Sequence, residues 1–152
     1  MTLSSDEITT IHNEADCLAT AEQLDQALNE MAETIEDKLA GSCPLVLSVM
    51  NGGLIPAAQL ILKLNFPLEV DYLHATRYGD ATEGAELEWK VYPATSIENR
   101  TVLVVDDIFD QGHTLEAVCK YLKAKGAKEV LSAVVINKLH DRKVSFRPDY
   151  IG

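Results

Sequence analysis

The feature that most constrains the fold is a continuous apolar run, TVLVV, at Thr101–Val105. Side chains of a strand point alternately to the two faces of a sheet, so an uninterrupted β-branched run predicts a strand buried on both faces. Strands of this kind belong to parallel sheets that helices cover on either side. The run therefore predicts an α/β fold with a mainly parallel sheet.

Strand and helix patterns alternate along the rest of the chain, as a mainly parallel sheet requires. The predicted strands are Leu45–Val49, Leu68–Ala75, Leu87–Tyr92 (a hairpin partner or lid arm), Thr101–Val105 and Val130–Ile136. The predicted helices are Ala21–Ala40 with a capping-box pair at Thr20 and Gln23, Ala57–Leu64 opened by Pro56, and Leu115–Lys125 ended by Gly126.

Composition excludes several classes of function. The chain has 13 Lys and Arg residues against 24 Asp and Glu residues, a formal net charge of −11. Such a surface repels phosphate backbones and anionic lipid headgroups, so we expect neither nucleic acid nor a membrane as a partner. The sequence has no secretory pattern, no apolar stretch of about 20 residues and no CxxC pair among its three cysteines. These observations predict a cytoplasmic protein with a single domain over residues 1–152.

Polar residues follow three predicted strands, at the ends where open parallel sheets bind their ligands. One group follows Leu45–Val49, a second follows Thr101–Val105, and Asn137 with Lys138 follows Val130–Ile136. The first group is Met50, Asn51, Gly52 and Gly53, and the second runs through Asp106, Asp107, Ile108, Phe109, Asp110, Gln111, Gly112, His113 and Thr114. We expect the three groups to converge on one ligand site.

The second group has the chemistry of a ribose 5-phosphate site. Adjacent carboxylates at Asp106 and Asp107 repel each other unless they are solvated, paired or bound, and they suit a ribose diol and Mg²⁺. The loop from Asp110 to Thr114 runs into a helix, whose free N–H groups and dipole attract phosphate. Gly112 permits close backbone approach, and Thr114 is expected to cap the helix and to donate its hydroxyl. The alternative interpretation is a solvated turn with a helix cap.

The remaining candidates also have two interpretations. Gly52 and Gly53 suit either a tight turn or a loop whose amides face a pyrophosphate. Lys138 suits either an exposed surface lysine or a donor to a ligand carbonyl. Arg77 and Tyr78 precede a polar, glycine-containing segment and suit either a solvated loop or a lid. The chain has neither a P-loop nor a G-x-G-x-x-G motif.

The sequence VLVVDDIFDQGHTL, residues 102–115, resembles the phosphoribosyl pyrophosphate motif of the type I phosphoribosyltransferases. MNGG after the first strand, TRYG from Thr76, and Lys138 before RPDYIG resemble the hypoxanthine (hypoxanthine-guanine) branch. The resemblance implies an open, mainly parallel sheet flanked by helices, with a mobile lid loop. It also implies purine salvage: a Mg²⁺-dependent transfer of 5-phosphoribosyl from phosphoribosyl pyrophosphate to hypoxanthine or guanine, giving IMP or GMP and pyrophosphate.

The resemblance implies a role for each matching residue. Asp106 and Asp107 would hold the ribose hydroxyls and, directly or through water, the metal. Asp110 would be the general acid/base at the imidazole nitrogen of the purine, and Lys138 would donate to the 6-oxo group. The 5-phosphate would lie against Asp110, Gln111, Gly112, His113 and Thr114. The pyrophosphate would face Met50, Asn51, Gly52 and Gly53, with a cis peptide bond at Met50–Asn51. The lid would carry Arg77 and Tyr78, where the family usually has a serine–tyrosine pair.

The resemblance has two further implications. The family continues beyond the segment that matches Asp149–Gly152 into a hood that stacks on the base, so the hood is expected to be incomplete here. The family also assembles as homodimers or homotetramers. Two other functions stay open: a regulator that senses phosphoribosyl pyrophosphate without turnover, and a transferase of the same fold for xanthine or another base.

Overall fold

The computed structural model describes residues 3–77 and 87–152. Its helices are α1 (Ser5–Glu14), α2 (Ala21–Leu39), α3 (Leu54–Ile61) and α4 (His113–Ala124). Its strands are β1 (Leu45–Val49), β2 (Glu69–Arg77), β3 (Leu87–Val91), β4 (Thr101–Phe109), β5 (Glu129–Asn137) and β6 (Tyr150–Ile151).

The strands form one six-stranded sheet in the order β3–β2–β1–β4–β5–β6. Neighbouring strands are parallel except at one edge, where β3 pairs antiparallel with β2 as the predicted hairpin. The order reverses direction between β1 and β4, which places the carboxyl ends of these two strands at a topological switch point. The mainly parallel α/β sheet predicted from the sequence is therefore confirmed.

The core consists of two apolar layers, one on each face of the sheet. Leu103 and Val105 of β4 pack with α2 and α3 on one face. Val102 and Val104 pack with α4 on the other face. All residues of Thr101–Val105 are buried, which is why the strand can be apolar throughout.

Helix α2 has the predicted capping box, because Thr20 accepts from the Gln23 N–H and the Gln23 side chain accepts from the Thr20 N–H. Helix α3 differs from its prediction, since it begins at Leu54 rather than after Pro56 and ends at Ile61. Pro56 is tolerated there because amides of the first helical turn have no intrahelical acceptor.

Strand β4 is longer than predicted. The prediction ended the strand at Val105 and placed Asp106 and Asp107 in a loop, but the strand continues to Phe109. The extension pairs with β5 through Phe109 and Asn137, so ladder hydrogen bonds outweigh the low strand propensity of two aspartates.

Helix α1 was not predicted, although Ser4 and Glu7 form a complete capping box before it. None of its residues is buried, and its apolar residues Ile8 and Ile11 are more than half exposed. Across the described ranges, no helix combines the length and apolar character needed to cross a membrane.

Candidate active site

The carboxyl ends of β1 and β4 border an open cavity of about 340 Å³, within the range of small-molecule sites. Two of the groups predicted to converge line this cavity. They contribute Met50, Asp106, Asp110, Gln111, Gly112, His113 and Thr114. The third group adjoins it, because Lys138 contacts Asp110. The structure thus brings residues from three strand ends to one edge of the sheet.

Asp106 and Asp107 lie within β4 and have different surroundings. Burial raises the pKa of Asp106 to about 7, and the charge of Asp107 adds to the rise. The N–H of Asp107 donates to Asp106 Oδ1 at 2.9 Å, which opposes that rise. The Ile108 N–H donates to Asp107 Oδ1 at 2.7 Å. The two carboxylates are therefore held by the strand's own backbone.

The loop after β1 approaches these carboxylates closely. The Met50–Asn51 peptide bond is cis, as the family resemblance implied. A Cβ on Gly52 would lie 2.3 Å from Oδ2 of Asp107. A Cβ on Gly53 would lie 2.5 Å from the backbone oxygen of Val105. Gly53 is therefore required for this loop to lie beside the carboxyl end of β4, whereas a Cβ on Gly52 would displace only the side chain of Asp107.

The loop from Asp110 to Thr114 leads into α4. Its N-cap is Gly112, which has a φ of 88° and no side chain to cap the helix. The prediction that Thr114 caps α4 is therefore wrong, because the helix already begins at His113. The Val144 N–H donates to Gln111 O at 3.0 Å and ties the loop to the segment after β5. The uncapped first turn leaves its N–H groups available to an anion.

Asp110 is the centre of a small charged cluster. Lys138 Nζ lies 3.3 Å from Oδ2 of Asp110, and His140 Nε2 lies 2.6 Å from Oδ1. The bond with His140 is the main cause of a lowered Asp110 pKa, and Lys138 adds to it. The backbone N–H of Lys138 donates to Phe109 O at 3.1 Å, which fixes its position beside the end of β4.

Two nearby residues were not predicted from the sequence. His140 contacts Asp110, and Lys143 lies 4.5 Å above the ring of Phe109 and also contacts Asn137. They belong to a loop whose path no local motif specifies, so only the position of His140 two residues after Lys138 hinted at a role.

The predicted lid falls largely outside the described residues. Arg77 is the last residue of β2, while Tyr78 and residues 79–86 are outside that range. Among the described residues, no three His, Cys, Asp or Glu side chains are grouped as an all-protein metal site. Any divalent cation at Asp106 and Asp107 would therefore need ligands from a substrate or water.

Comparison with sequence families matches residues 15–152 to the phosphoribosyl transferase domain. The hypoxanthine-guanine phosphoribosyltransferase of Bacillus subtilis is 26% identical over 142 residues, which cover 93% of this chain and 79% of that protein. The "Bifunctional protein TilS/HprT" of Listeria monocytogenes is 28% identical over 144 residues, which cover 93% of this chain. The chain spans only 22% of the length of that bifunctional relative.

Solved structures share the architecture. A crystal structure of a hypoxanthine-guanine phosphoribosyltransferase from Bacillus anthracis, with a HEPES molecule in its active site, has a TM-score of 0.84 to this chain at 29% identity. The match covers 91% of this chain and 82% of that one. The fold described above is therefore a known architecture.

Proposed function

Because the chain belongs to the phosphoribosyl transferase domain family, we propose that it transfers the 5-phosphoribosyl group of phosphoribosyl pyrophosphate to a 6-oxopurine. The products are the nucleoside monophosphate and pyrophosphate. The relative from Bacillus subtilis and the solved structure from Bacillus anthracis are both named hypoxanthine-guanine phosphoribosyltransferases, which supports hypoxanthine and guanine as the bases. This is a purine-salvage reaction.

The pairing of Lys138 with Asp110 carries the proposal. Their 3.3 Å contact sets an ammonium donor beside a carboxylate acceptor at the edge of the cavity. In a 6-oxopurine the O6 and N7 atoms lie side by side on one edge of the base. Lys138 can therefore donate to O6 while Asp110 accepts the proton of N7. A 6-amino group would instead direct N–H donors at the ammonium group and leave them unpaired.

Asp110 is ionised in the free protein and so has an oxygen that can accept a proton. The hydrogen bond with His140, followed by that with Lys138, lowers its pKa, so the free protein holds a carboxylate at neutral pH. In the proposed step the N9–C1′ bond forms, the bond from C1′ to the pyrophosphate oxygen breaks, and the N7 proton moves to Asp110. Positive charge that develops on the ribose ring is stabilised by the carboxylates nearby.

The other groups at this edge of the sheet supply the sugar and phosphate subsites of the proposal. Asp106 and Asp107 accept from the ribose hydroxyls. The N–H groups of residues 110–114 and the dipole of α4 hold the 5-phosphate. The Met50–Gly53 loop faces the pyrophosphate. Fixed dipoles explain how a chain of net charge −11 attracts this anion.

The donor set at the end of β4 suits Mg²⁺. Mg²⁺ is typically held by one or two carboxylates together with substrate phosphates. The two adjacent carboxylates fit that pattern, because no cluster of three His, Cys, Asp or Glu side chains suited to a metal occurs among the described residues. Asp106 and Asp107 would hold the ion directly or through water. When bound, Mg²⁺ neutralises charge that develops on the departing pyrophosphate.

The test is pyrophosphate release with phosphoribosyl pyrophosphate, Mg²⁺ and hypoxanthine, guanine, xanthine or adenine in turn. Release with hypoxanthine or guanine and none with adenine would support the proposal. Release with xanthine alone would favour the transferase of another base. Binding of phosphoribosyl pyrophosphate without release from any base would contradict the proposal and favour a sensor.

We also propose that copies of the chain assemble as a homodimer or homotetramer. Large apolar side chains of α3 and β2 stand exposed to solvent, which is typical of surfaces that a partner covers. They include Leu54 at 49%, Ile55 at 63%, Val70 at 55% and Tyr72 at 45% exposure. Light scattering during size-exclusion chromatography tests this, and a particle of 16.7 kDa would contradict it.

A further inference from the structure

Each oxygen of the Asp110 carboxylate has a different partner. Nε2 of His140 lies 2.6 Å from Oδ1, and Nζ of Lys138 lies 3.3 Å from Oδ2. The His140 side chain is 20% exposed, whereas the Lys138 side chain is 53% exposed. One oxygen is therefore held by a mostly buried imidazole, and the other faces an exposed ammonium group at the cavity.

A second hydrogen bond determines which nitrogen of His140 carries the proton. The backbone N–H of Arg142 donates to Nδ1 of His140 at 3.1 Å. A ring nitrogen that accepts a hydrogen bond has its lone pair free, so the proton of the neutral ring is on Nε2. Nε2–H then donates to Asp110, and the direction of this bond is set by the backbone.

We propose that His140 is a positioning residue for Asp110, which fixes the plane of the carboxylate and directs Oδ2 toward the base. The proposal rests on the proposed function. When a 6-oxopurine enters, Lys138 moves its hydrogen bond from Oδ2 to O6, and Oδ2 accepts the N7 proton. The hydrogen bond from His140 to Oδ1 competes with neither of these two changes. The carboxylate therefore keeps His140 as the partner of Oδ1 while the partner of Oδ2 changes from Lys138 to the base.

The hydrogen bond from His140 matters because Asp110 follows the end of β4 and its side chain is 51% exposed. A carboxylate in that setting has rotational freedom that a hydrogen bond from a mostly buried ring removes. Misplacement of a reacting group by about 1 Å can cost roughly a hundredfold in rate. The effect of His140 is therefore expected in turnover and not in the binding of the ribose phosphate.

Two variants of His140 separate positioning from packing. His140→Leu keeps a side chain of similar size and removes the hydrogen-bond donor, whereas His140→Gln keeps an N–H donor near the place of Nε2. We expect His140→Leu to lower kcat by roughly tenfold to a hundredfold, with KM for phosphoribosyl pyrophosphate nearly unchanged, and His140→Gln to recover most of the loss. His12→Leu, on the exposed helix α1, is the matched control and should leave kcat unchanged.

Three kinetic outcomes would overturn the proposal. The first is a His140→Leu variant with the kcat of the wild-type protein. The second is a His140→Gln variant as impaired as His140→Leu with an equally lowered melting temperature, which is the result of a purely structural role. The third is that His140→Leu lowers kcat by the same factor in an Asp110→Asn protein as in the wild-type protein. A residue that acts only through Asp110 should have no further effect on kcat once Asp110 is replaced.

A measurement that needs no turnover distinguishes this inference from the proposed function. Two-dimensional NMR of ¹⁵N-labelled histidine should show the His140 proton on Nε2 and a changed Nε2 shift in Asp110→Ala. A proton on Nδ1, or an Nε2 shift that Asp110→Ala leaves unchanged, would overturn the inference. If the wild-type protein releases no pyrophosphate with any 6-oxopurine, the proposed function fails, and the NMR result still decides the bond.

Discussion

Replacement of Asp106 by Asn should stabilise the ligand-free protein at alkaline pH. Burial raises the pKa of Asp106 from 3.8 to about 7, and the charge of Asp107 adds to the rise. Between these two values the folded chain holds a proton that the unfolded chain has lost, so the free energy of unfolding falls as the pH rises. Above pH 7 the folded chain keeps an ionised carboxylate where hydration is poor.

The size of the effect follows from the shift. A rise of about three pKa units corresponds to about 4 kcal/mol, at about 1.4 kcal/mol for each unit. Asn has nearly the same shape, and its Oδ1 can still accept the Asp107 N–H that lies 2.9 Å from Asp106 Oδ1. The variant therefore removes the charge and keeps the hydrogen bond. The full gain is expected above pH 7, and none is expected below pH 4.

Urea denaturation between pH 4 and pH 8.5, without Mg²⁺ or phosphoribosyl pyrophosphate, measures this difference. The free energy of unfolding of Asp106→Asn minus that of the wild-type protein should rise from near zero to about 4 kcal/mol. A constant difference for Asp106→Asn, or a less stable variant at pH 8, would refute the reasoning.

The remaining predictions concern substrate binding and turnover. Asp110→Asn should lower kcat far more than it weakens the binding of either substrate, because it removes the proton acceptor; equal losses in steady-state kinetics would contradict that role. Lys138→Ala should weaken 6-oxopurine binding by roughly tenfold or more and leave phosphoribosyl pyrophosphate binding nearly unchanged in calorimetry; an unaltered base affinity would rule out the contact with O6. Gly52→Ala should keep the fold and weaken phosphoribosyl pyrophosphate binding, because its Cβ would lie 2.3 Å from Oδ2 of Asp107 and displace that carboxylate. Gly53→Ala should lower the melting temperature strongly, because its Cβ would lie 2.5 Å from a backbone oxygen of β4. A lower melting temperature for Gly52→Ala than for Gly53→Ala would contradict this explanation.

The central strands and the long helices could be predicted because several signals agree in each. Thr101–Val105 is rich in β-branched residues and buried throughout, so its pattern and its propensity indicate the same structure. Helix α2 combines a capping box at Thr20 with an apolar stripe that packs on the sheet. Agreement between local and tertiary preferences made these elements readable from the sequence.

One error occurred where tertiary contacts outweighed local preference, and two occurred where the local signals were incomplete. Asp106 and Asp107 have low strand propensity, yet pairing with β5 extends β4 through them. Pro56 favours a helix that begins next to it, but α3 begins two residues earlier, at Leu54. A proline fits anywhere in the first helical turn, because the backbone N–H groups there have no acceptor within the helix. Helix α1 buries none of its residues, so no continuous core-facing stripe marks it in the sequence.

The parts of the candidate site that are contiguous in the sequence, or that lie at the ends of parallel strands, could be predicted. The motif from Asp106 to Thr114 is contiguous, and the carboxyl ends of parallel strands meet at one edge, so its proximity to Met50–Gly53 followed from topology. The bond between Asp110 and His140 joins residues 30 positions apart and depends on the path of an irregular loop. Side-chain contacts of that kind have no periodic signature in a sequence.

Because β4 extends past Val105, one part of the candidate site lies in a strand and another lies in a loop, and the two parts open to solvent at different rates. Asp106 and Asp107 belong to a strand whose ladder with β5 runs through Phe109, while Asp110 lies one residue past its end. Amide hydrogens in such a ladder exchange with solvent only when a large cooperative unit opens, whereas loop amides exchange in small, frequent openings. Asp106 and Asp107 thus share the lifetime of the folded core, whereas Asp110 belongs to a segment that can reorganise many times within that lifetime.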